Sequence, residues 1–372
     1  MKRLIFIFCL TVAYSVVFGQ DNKLIYSKVN RNAAERTAKV LQESDAYISI
    51  DLVGIDLEKI PTSNQFVLQF GKQNLTIQKD RIEERGVNNF NFSGKNKEGV
   101  NVFFTVLNND IQGIIETQDA IFSIKTIGKD EYAIVKVDQS KMVEACAHID
   151  DEHHGNQETI VDSGSFDFNN NVSDDLFATR TLFECRVRVL VLYTPAARGS
   201  VFNINNTILA SIDDANQSFI NSNINYRLEL AYAGLTSYTE ALPNPAPNNN
   251  LDPITTDLNR FRNKNDGYMD EVHSLRDKYS ADVCVLLARR TDWCGLAKDV
   301  GVSEEDAFCL VDVLCAVDNH SFAHEIGHLL GCRHDTYVDN SSKPFAHGHG
   351  YVYSPGNWRT IMAYANACPL LC

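Results

Sequence analysis

Two histidines four residues apart, His324 and His328, carry the strongest chemical signal in the chain. On a helix that spacing brings both imidazoles to one face, about one turn apart. Such a pair suits two ligands of one zinc ion, each at ~2.0–2.1 Å. Glu325 lies beside the first ligand, where its carboxylate can reach a zinc-bound water. Gly331 can adopt the left-handed backbone that ends a helix and turns the chain sharply. The turn swings His334 back as third ligand and leaves the fourth position to water. The expected reaction is peptide hydrolysis without a covalent intermediate. Glu325 accepts the water's proton as a carbonyl is attacked and passes it to the leaving amine. One catalytic Zn2+ is the implied cofactor, with protein or peptide substrates. A structural zinc is the bland alternative, but such sites close with four protein ligands, often cysteines. Cys332 lies inside the motif, and disulfide pairing suits it better than the metal.

The elements that must position this motif fall into two textures. Residues 46–52, 65–70, 101–107 and 131–137 alternate with period two and are rich in β-branched and aromatic side chains. They predict an antiparallel β domain. Residues 144–180 turn polar and read as a linker or exposed loop. Beyond it, strands at 186–193, 227–233 and 282–288 alternate with helices at 204–220 and 267–279, after a Pro/Asn-rich loop at 243–253. That order implies a largely parallel sheet with crossover helices. Short strands at 296–302 and 308–313 precede the zinc-site helix. The predicted organisation is therefore a signal peptide over 1–19, a β-rich domain over 20–143, a polar linker over 144–180 and a catalytic domain over 181–372.

Composition limits the alternatives. Of 372 residues, 44% are hydrophobic and 22% charged, ordinary for a globular protein with two cores. The net charge of −14 gives no reason to expect nucleic acid or an anionic membrane surface as a partner. Lys2 and Arg3 precede an apolar run from Leu4 to Val17, too short to span a bilayer, so a cleaved export signal and a secreted, monomeric product are predicted. Eight cysteines after residue 180 predict a disulfide-stapled domain and leave Cys146 unpaired by parity. His153 and His154 sit in an acidic run and read as exposed. His273 and His320 read as packing or capping residues on helices. The rival function is a secreted binding or adhesion protein on a protease fold, which loss of Glu325 or of a ligand would have favoured. All are present.

The segment His324–His334 resembles the extended zinc signature of the metzincin metallopeptidases, and Thr360-Ile-Met-Ala-Tyr364 resembles their Met-turn. Asp335 after the third histidine is similar to the reprolysin pattern. Residues 191–197, 267–273, 294–297 and 358–364 resemble bacterial peptidyl-Asp metalloendopeptidases. The resemblance implies an α+β fold: a metzincin-type catalytic domain with a twisted mixed sheet, crossover helices and a zinc-site helix, preceded by a β-rich propeptide domain. It makes Met362 a hydrophobic floor beneath the zinc site and Tyr364 a candidate fifth ligand or transition-state donor. It makes residues 296–302 the edge strand that pairs with extended substrate. By analogy with the cysteine switch of related metzincins, the Cys146 thiolate is a candidate latency ligand. The pocket beyond the scissile bond would be walled between His334 and the Met-turn. There Arg359, His347 and His349 are candidate partners for an acidic substrate side chain, giving cleavage before Asp. Only ten residues follow Met362, so either the implied lower subdomain is very short or this chain is a truncated form.

Overall fold

The computed structural model of the chain describes residues 23–28, 34–60, 62–142, 185–242, 252–356 and 358–364. The expected signal sequence, the 144–180 linker, Cys146, His153, His154, Cys368 and Cys372 lie outside these residues, as does most of the Pro/Asn-rich loop.

The alternating pattern of the first half closes on itself. Strands β1 (Lys23–Ser27), β2 (Tyr47–Ile55), β3 (Gln65–Phe70), β4 (Gln73–Gly86), β5 (Asn89–Lys95), β6 (Asn101–Leu107), β7 (Asp110–Glu116), β8 (Ile121–Gly128) and β9 (Glu131–Val137) form a barrel in the order β1-β2-β9-β8-β7-β6-β5-β4-β3. A helix, α1 (Ala34–Gln42), precedes β2. Every pairing is antiparallel except the closure of β1 on β3. Inward side chains fill the barrel. Phe66 meets Phe92 edge-on at 5.6 Å, and Phe92 stacks on Phe104 at 4.8 Å. The two-residue turn Asn108-Asn109 has both residues at positive φ, the conformation that matches the twist of a β6–β7 hairpin. The four strands expected from the sequence are all present. β1, β4, β5, β7 and β8 were not expected; of these, β4 has mostly exposed or half-buried side chains with no clean alternation.

The second half is a five-stranded sheet covered by helices on both faces. In chain order it comprises β10 (Cys185–Tyr193), α2 (Pro195–Gly199), α3 (Ile204–Asn221), β11 (Tyr226–Leu235), α4 (Pro253–Arg262), α5 (Glu271–Tyr279), β12 (Val283–Ala288), β13 (Gly295–Ala297), β14 (Phe308–Asp312), α6 (Cys315–Asp318) and α7 (Ser321–Leu329). A hairpin of β15 (Val352–Tyr353) and β16 (Trp358–Arg359) follows. The sheet order is β11-β10-β12-β14-β13, parallel except for the edge strand β13. Alternate residues of β10 and β12 point to opposite faces. Val189, Val191, Val285 and Leu287 join Ile208, Ile212, Phe322 and Ile326 of α3 and α7, whereas Leu190, Leu192 and Leu286 join Leu258, Phe261 and Val272 of α4 and α5. This is the mixed, helix-covered sheet expected of an α+β domain.

Three expectations need correction. α4 was missed because Pro253 reads as the end of a loop, yet it occupies the first helical turn, where proline is tolerated. The helix expected over 267–279 begins only at Glu271. The edge strand expected over 296–302 stops at Ala297, because Gly301 and Val302 turn to donate to the carbonyls of His328 and Leu329 at the end of α7 (2.8 and 3.1 Å). The disulfide expectation is also only partly met. Cys294 pairs with Cys315, pinning the edge strand to α6. Cys284 and Cys309 are unpaired thiols buried on opposite faces of the sheet, and Cys185 and Cys332 have no cysteine partner among the described residues.

His320, immediately before α7, adopts left-handed backbone at φ 55°. Its Nδ1 faces the Asp214 carboxylate on α3 (2.9 and 3.0 Å), and its Nε2 faces Glu116 at the end of β7 (3.3 Å). Burial by itself lowers the pKa of this imidazole, but attraction by Asp214 and hydrogen bonds to Asp214 and Glu116 outweigh it and hold the group protonated up to about 10. His320 therefore contributes stability that is complete below its unfolded pKa of ~6.5 and is lost as the pH rises through about 10. The melting temperature should fall between these limits more steeply in the parent protein than in His320→Gln, as read by thermal unfolding across the series. Parallel curves would refute the assignment.

Candidate metal and catalytic centre

Both ends of α7 are fixed before any ligand is considered. At its C-terminus Gly331 sits at φ +99°, and the amides of Gly331 and Cys332 donate to the carbonyls of His328 (2.8 Å) and Gly327 (2.9 Å). That pair of bonds is a Schellman cap, and the glycine it requires reverses the chain toward His334. The returning segment is held by Arg333 N donating to Gly348 O and Gly350 N donating to Arg333 O (2.7 and 2.8 Å).

The reversal brings His324, His328 and His334 together as expected. Their Nε2 atoms lie 3.0–3.2 Å from one another, and all three residues are buried. His324 Nδ1 donates to Ile361 O (2.9 Å) and His328 Nδ1 to Cys332 O (2.8 Å). A carbonyl can only accept, so both neutral rings carry hydrogen on Nδ1 and turn a bare Nε2 lone pair inward. Burial pushes both imidazoles down to about 3, so protons do not relieve the crowding of lone pairs. A cation does. The separations approach the ~3.3 Å edge of a tetrahedron with arms of ~2.0–2.1 Å, so this donor set fits zinc. Among the described residues it is the one group of three or more His, Cys, Asp or Glu side chains able to share an ion.

The Reprolysin_5 family, metallo-peptidase family M12, matches residues 184–370, about half of the chain. The chain belongs to this family. It is similar to a peptidyl-Asp metalloendopeptidase of Stenotrophomonas maltophilia (strain R551-3), 36% identical over 285 residues, covering 75% of this chain and 63% of that protein. It is also similar to one from Xanthomonas campestris pv. campestris, 36% identical over 264 residues, covering 70% and 58%. The chain thus spans about three-fifths of the length of these relatives. Among solved structures, metalloproteinase-II from Bacteroides fragilis covers 88% of this chain and 90% of its own at 12% identity, with a TM-score of 0.35, too low to bear on the fold.

In this M12 domain the other predicted residues divide. Glu325 is fully buried beside the histidine triad. A Cβ on Gly327 would meet Met362 Sδ at 2.6 Å, so the Met-turn packs directly against α7 between the two helical histidines. The Tyr364 ring lies 4.4 Å from that of His334. Arg359 donates to Ala363 O (2.7 Å), and burial lowers its pKa. His347 is exposed and outside the cluster. His349 is a structural strut, its Nδ1 facing His334 O and its Nε2 facing Ser341 O, both at 2.8 Å. Cys332 contributes its carbonyl, not its thiol.

Two residues already within the resembling segments prove to have positioning roles that the sequence did not indicate. Asp335 accepts from Tyr364 N (3.0 Å) and Tyr337 N (3.1 Å), tying the third histidine's loop to the Met-turn. Its place directly after His334 was the available signal. Gly295 on β13 stands where any Cβ would come within 2.4 Å of Glu325 Oε1 and 2.7 Å of Cδ, so the edge strand accommodates the carboxylate only as glycine. Gly295→Ala should displace Glu325 while sparing the three imidazoles. Zinc content near one per chain with peptide turnover reduced by ~10² or more is expected. Unchanged turnover would sink this role for the glycine.

Proposed function

We propose that the chain is a secreted zinc-dependent endopeptidase made as a latent proenzyme, hydrolysing internal peptide bonds. The observation that carries this is the inward convergence of three buried imidazole nitrogens, two with tautomers set by carbonyls, beside the buried carboxylate of Glu325. Bound by His324, His328 and His334, zinc supplies Lewis acidity toward water and a scissile carbonyl. Glu325 takes the proton of the attacking water and delivers it to the nitrogen of the departing amine. Met362 supports the helix from below, and Tyr364 beside His334 is the candidate donor to the oxyanion or fifth ligand. Glu325→Ala should retain about one zinc per chain and lose turnover, whereas His328→Ala should lose both. A Glu325 variant keeping more than a few per cent of activity would overturn the mechanism. Zinc retained in the parent protein, without chelator-sensitive cleavage of casein by a sample freed of residues 20–180, would instead favour the binding or adhesion reading.

Specificity for an acidic residue on the C-terminal side of the cut, Asp above Glu, is supported by the names of the relatives and by Arg359. Of the three candidate partners, Arg359 is the half-buried cation next to the Met-turn, where it also donates to Ala363 O. His347 is exposed, and His349 already faces two carbonyls. A carboxylate entering such a pocket needs a cation with several donors, which guanidinium provides. Mass spectrometry of digested denatured proteins should show cuts enriched before Asp. Cuts before Leu, Phe or Tyr without that enrichment would leave a general endopeptidase.

In this reading the barrel is the propeptide, the segment over 144–180 is where it is separated, and an N-terminal signal over 1–19 directs export. Among the described residues no helix is long and apolar enough to cross a membrane. Cys146 is the candidate thiolate for latency. Cys146→Ala in the proform should raise basal activity. Unchanged latency would assign inhibition to steric masking or another ligand.

A further inference from the structure

The barrel meets the peptidase half along α3, α6 and the residue that opens α7. The centre of the contact is apolar, with Phe103 and Ile114 of the barrel against Ala210 and Val317. Acidic side chains of the peptidase half meet the outer wall of the barrel around this patch. Asp213 on α3, 4% exposed, accepts from both terminal nitrogens of Arg85 (2.8 and 2.7 Å) and from Thr105 Oγ1 (2.7 Å). Asp318 at the end of α6, 1% exposed, accepts from Tyr47 Oη (2.7 Å), Ser123 Oγ (2.7 Å) and Lys125 Nζ (3.1 Å). Lys125 also donates to Tyr47 Oη (2.7 Å). The third point is His320, held between Asp214 of its own half and Glu116 of the barrel. At the rim, Asn203 Nδ2 donates to Asp110 (2.6 Å) and Arg289 to Glu43 O (2.7 Å).

We propose that this face is a docking site at which the barrel stays bound as a non-covalent subunit after the chain joining the halves is cut. Three features point there. The anchors are charge-assisted and include a bidentate Arg–carboxylate pair, so they give both strength and a unique orientation. They ring an apolar centre, and the Asp213 and Asp318 carboxylates are nearly dry, the arrangement of a high-affinity interface core rather than of a loosely tethered domain. None of the anchor residues is a metal ligand, Glu325 or part of β13, although Glu116 lies within charge-interaction range of Arg359. Severing residues 143–184 therefore removes the covalent link without removing any of these contacts. As a propeptide the barrel would then remain attached to the peptidase half after the linker is severed, until it is displaced.

The physiological setting rests on the proenzyme reading, but the test does not. A recognition sequence for a site-specific protease is placed within residues 150–170 of the full-length chain carrying Glu325→Ala, which prevents self-cleavage. After complete cutting at neutral pH and ~0.15 M salt, the two fragments are expected to co-elute on size exclusion at the volume of the uncut protein. Separation of the fragments at micromolar concentration would overturn the proposal. Arg85→Ala with Lys125→Ala should weaken the association of the cut fragments at least ~30-fold. Uncut double variant with an unchanged circular dichroism spectrum excludes misfolding as the cause, and Asp318→Asn provides a milder check. Affinity unaffected by all three substitutions would refute these anchors. Elution in an inactive background reads docking alone, so failure of the enzymatic reading would leave this result standing.

Discussion

Three imidazole nitrogens within 3.0–3.2 Å of one another impose the constraint that organises the peptidase half. Lone pairs at that distance in a buried site repel, and holding them there requires structure on every side. The carbonyls of Cys332 and Ile361 set the tautomers, and both come from chain that has already turned back on α7. The Schellman cap at Gly331 makes the first turn, and Asp335 fastens it to the Met-turn. The Gly301–Val302 amides, which shorten the edge strand, hold the last carbonyls of the same helix. Preorganisation of this kind has a stability cost that only a bound cation offsets, so zinc binding and folding of the region should be coupled.

The burial of Glu325 follows from the same packing. Its helix lies under β13, and a strand passing this close leaves room for a carboxylate only by omitting a side chain at Gly295. The Cys294–Cys315 bond sits next to that glycine and links it to α6, the element leading into α7. Edge strand, disulfide and catalytic helix thus form one closed loop of covalent and packed contacts. The position of Glu325, the proposed general base, is consequently set by the sheet edge as much as by its own helix.

The candidate site was legible in the sequence because His324, Glu325 and His328 lie on one helix, where spacing alone fixes their relative positions. The third ligand was legible because Gly331 marks the turn. What was not legible depends on main-chain atoms or on contacts between distant segments. No residue type announces that the Ile361 carbonyl will face His324, or that Gly295 will meet Glu325. In the fold, Asn101–Leu107, rich in β-branched and aromatic residues, declared itself, while β4, exposed along most of its length, did not, and neither did the well-buried β5, β7 and β8. Pro253 misled because the same residue breaks a helix in its interior and opens one at its first turn. The cysteine count misled because Cys284 and Cys309 serve as small buried hydrophobes on the two faces of the sheet.

The barrel contact raises a further electrostatic point. Asp213 and Asp214 are consecutive on α3 and both nearly dry, an arrangement that is untenable for two carboxylates without separate cations. Successive helical side chains diverge by about 100°, so each can reach a different partner. Asp213 turns to Arg85 of the barrel, and Asp214 turns to His320 at the start of α7. His320 in turn reaches Glu116 of the barrel while its carbonyl accepts the amide of His324 (3.0 Å). His324, the first of the three proposed ligands, is therefore one hydrogen bond from a residue whose charge is balanced across the contact between the two halves. In the free peptidase half Asp213 returns to water, where its charge is well solvated, but His320 loses one of two carboxylates. The start of the catalytic helix is the part of the peptidase half in which the presence of the barrel is felt.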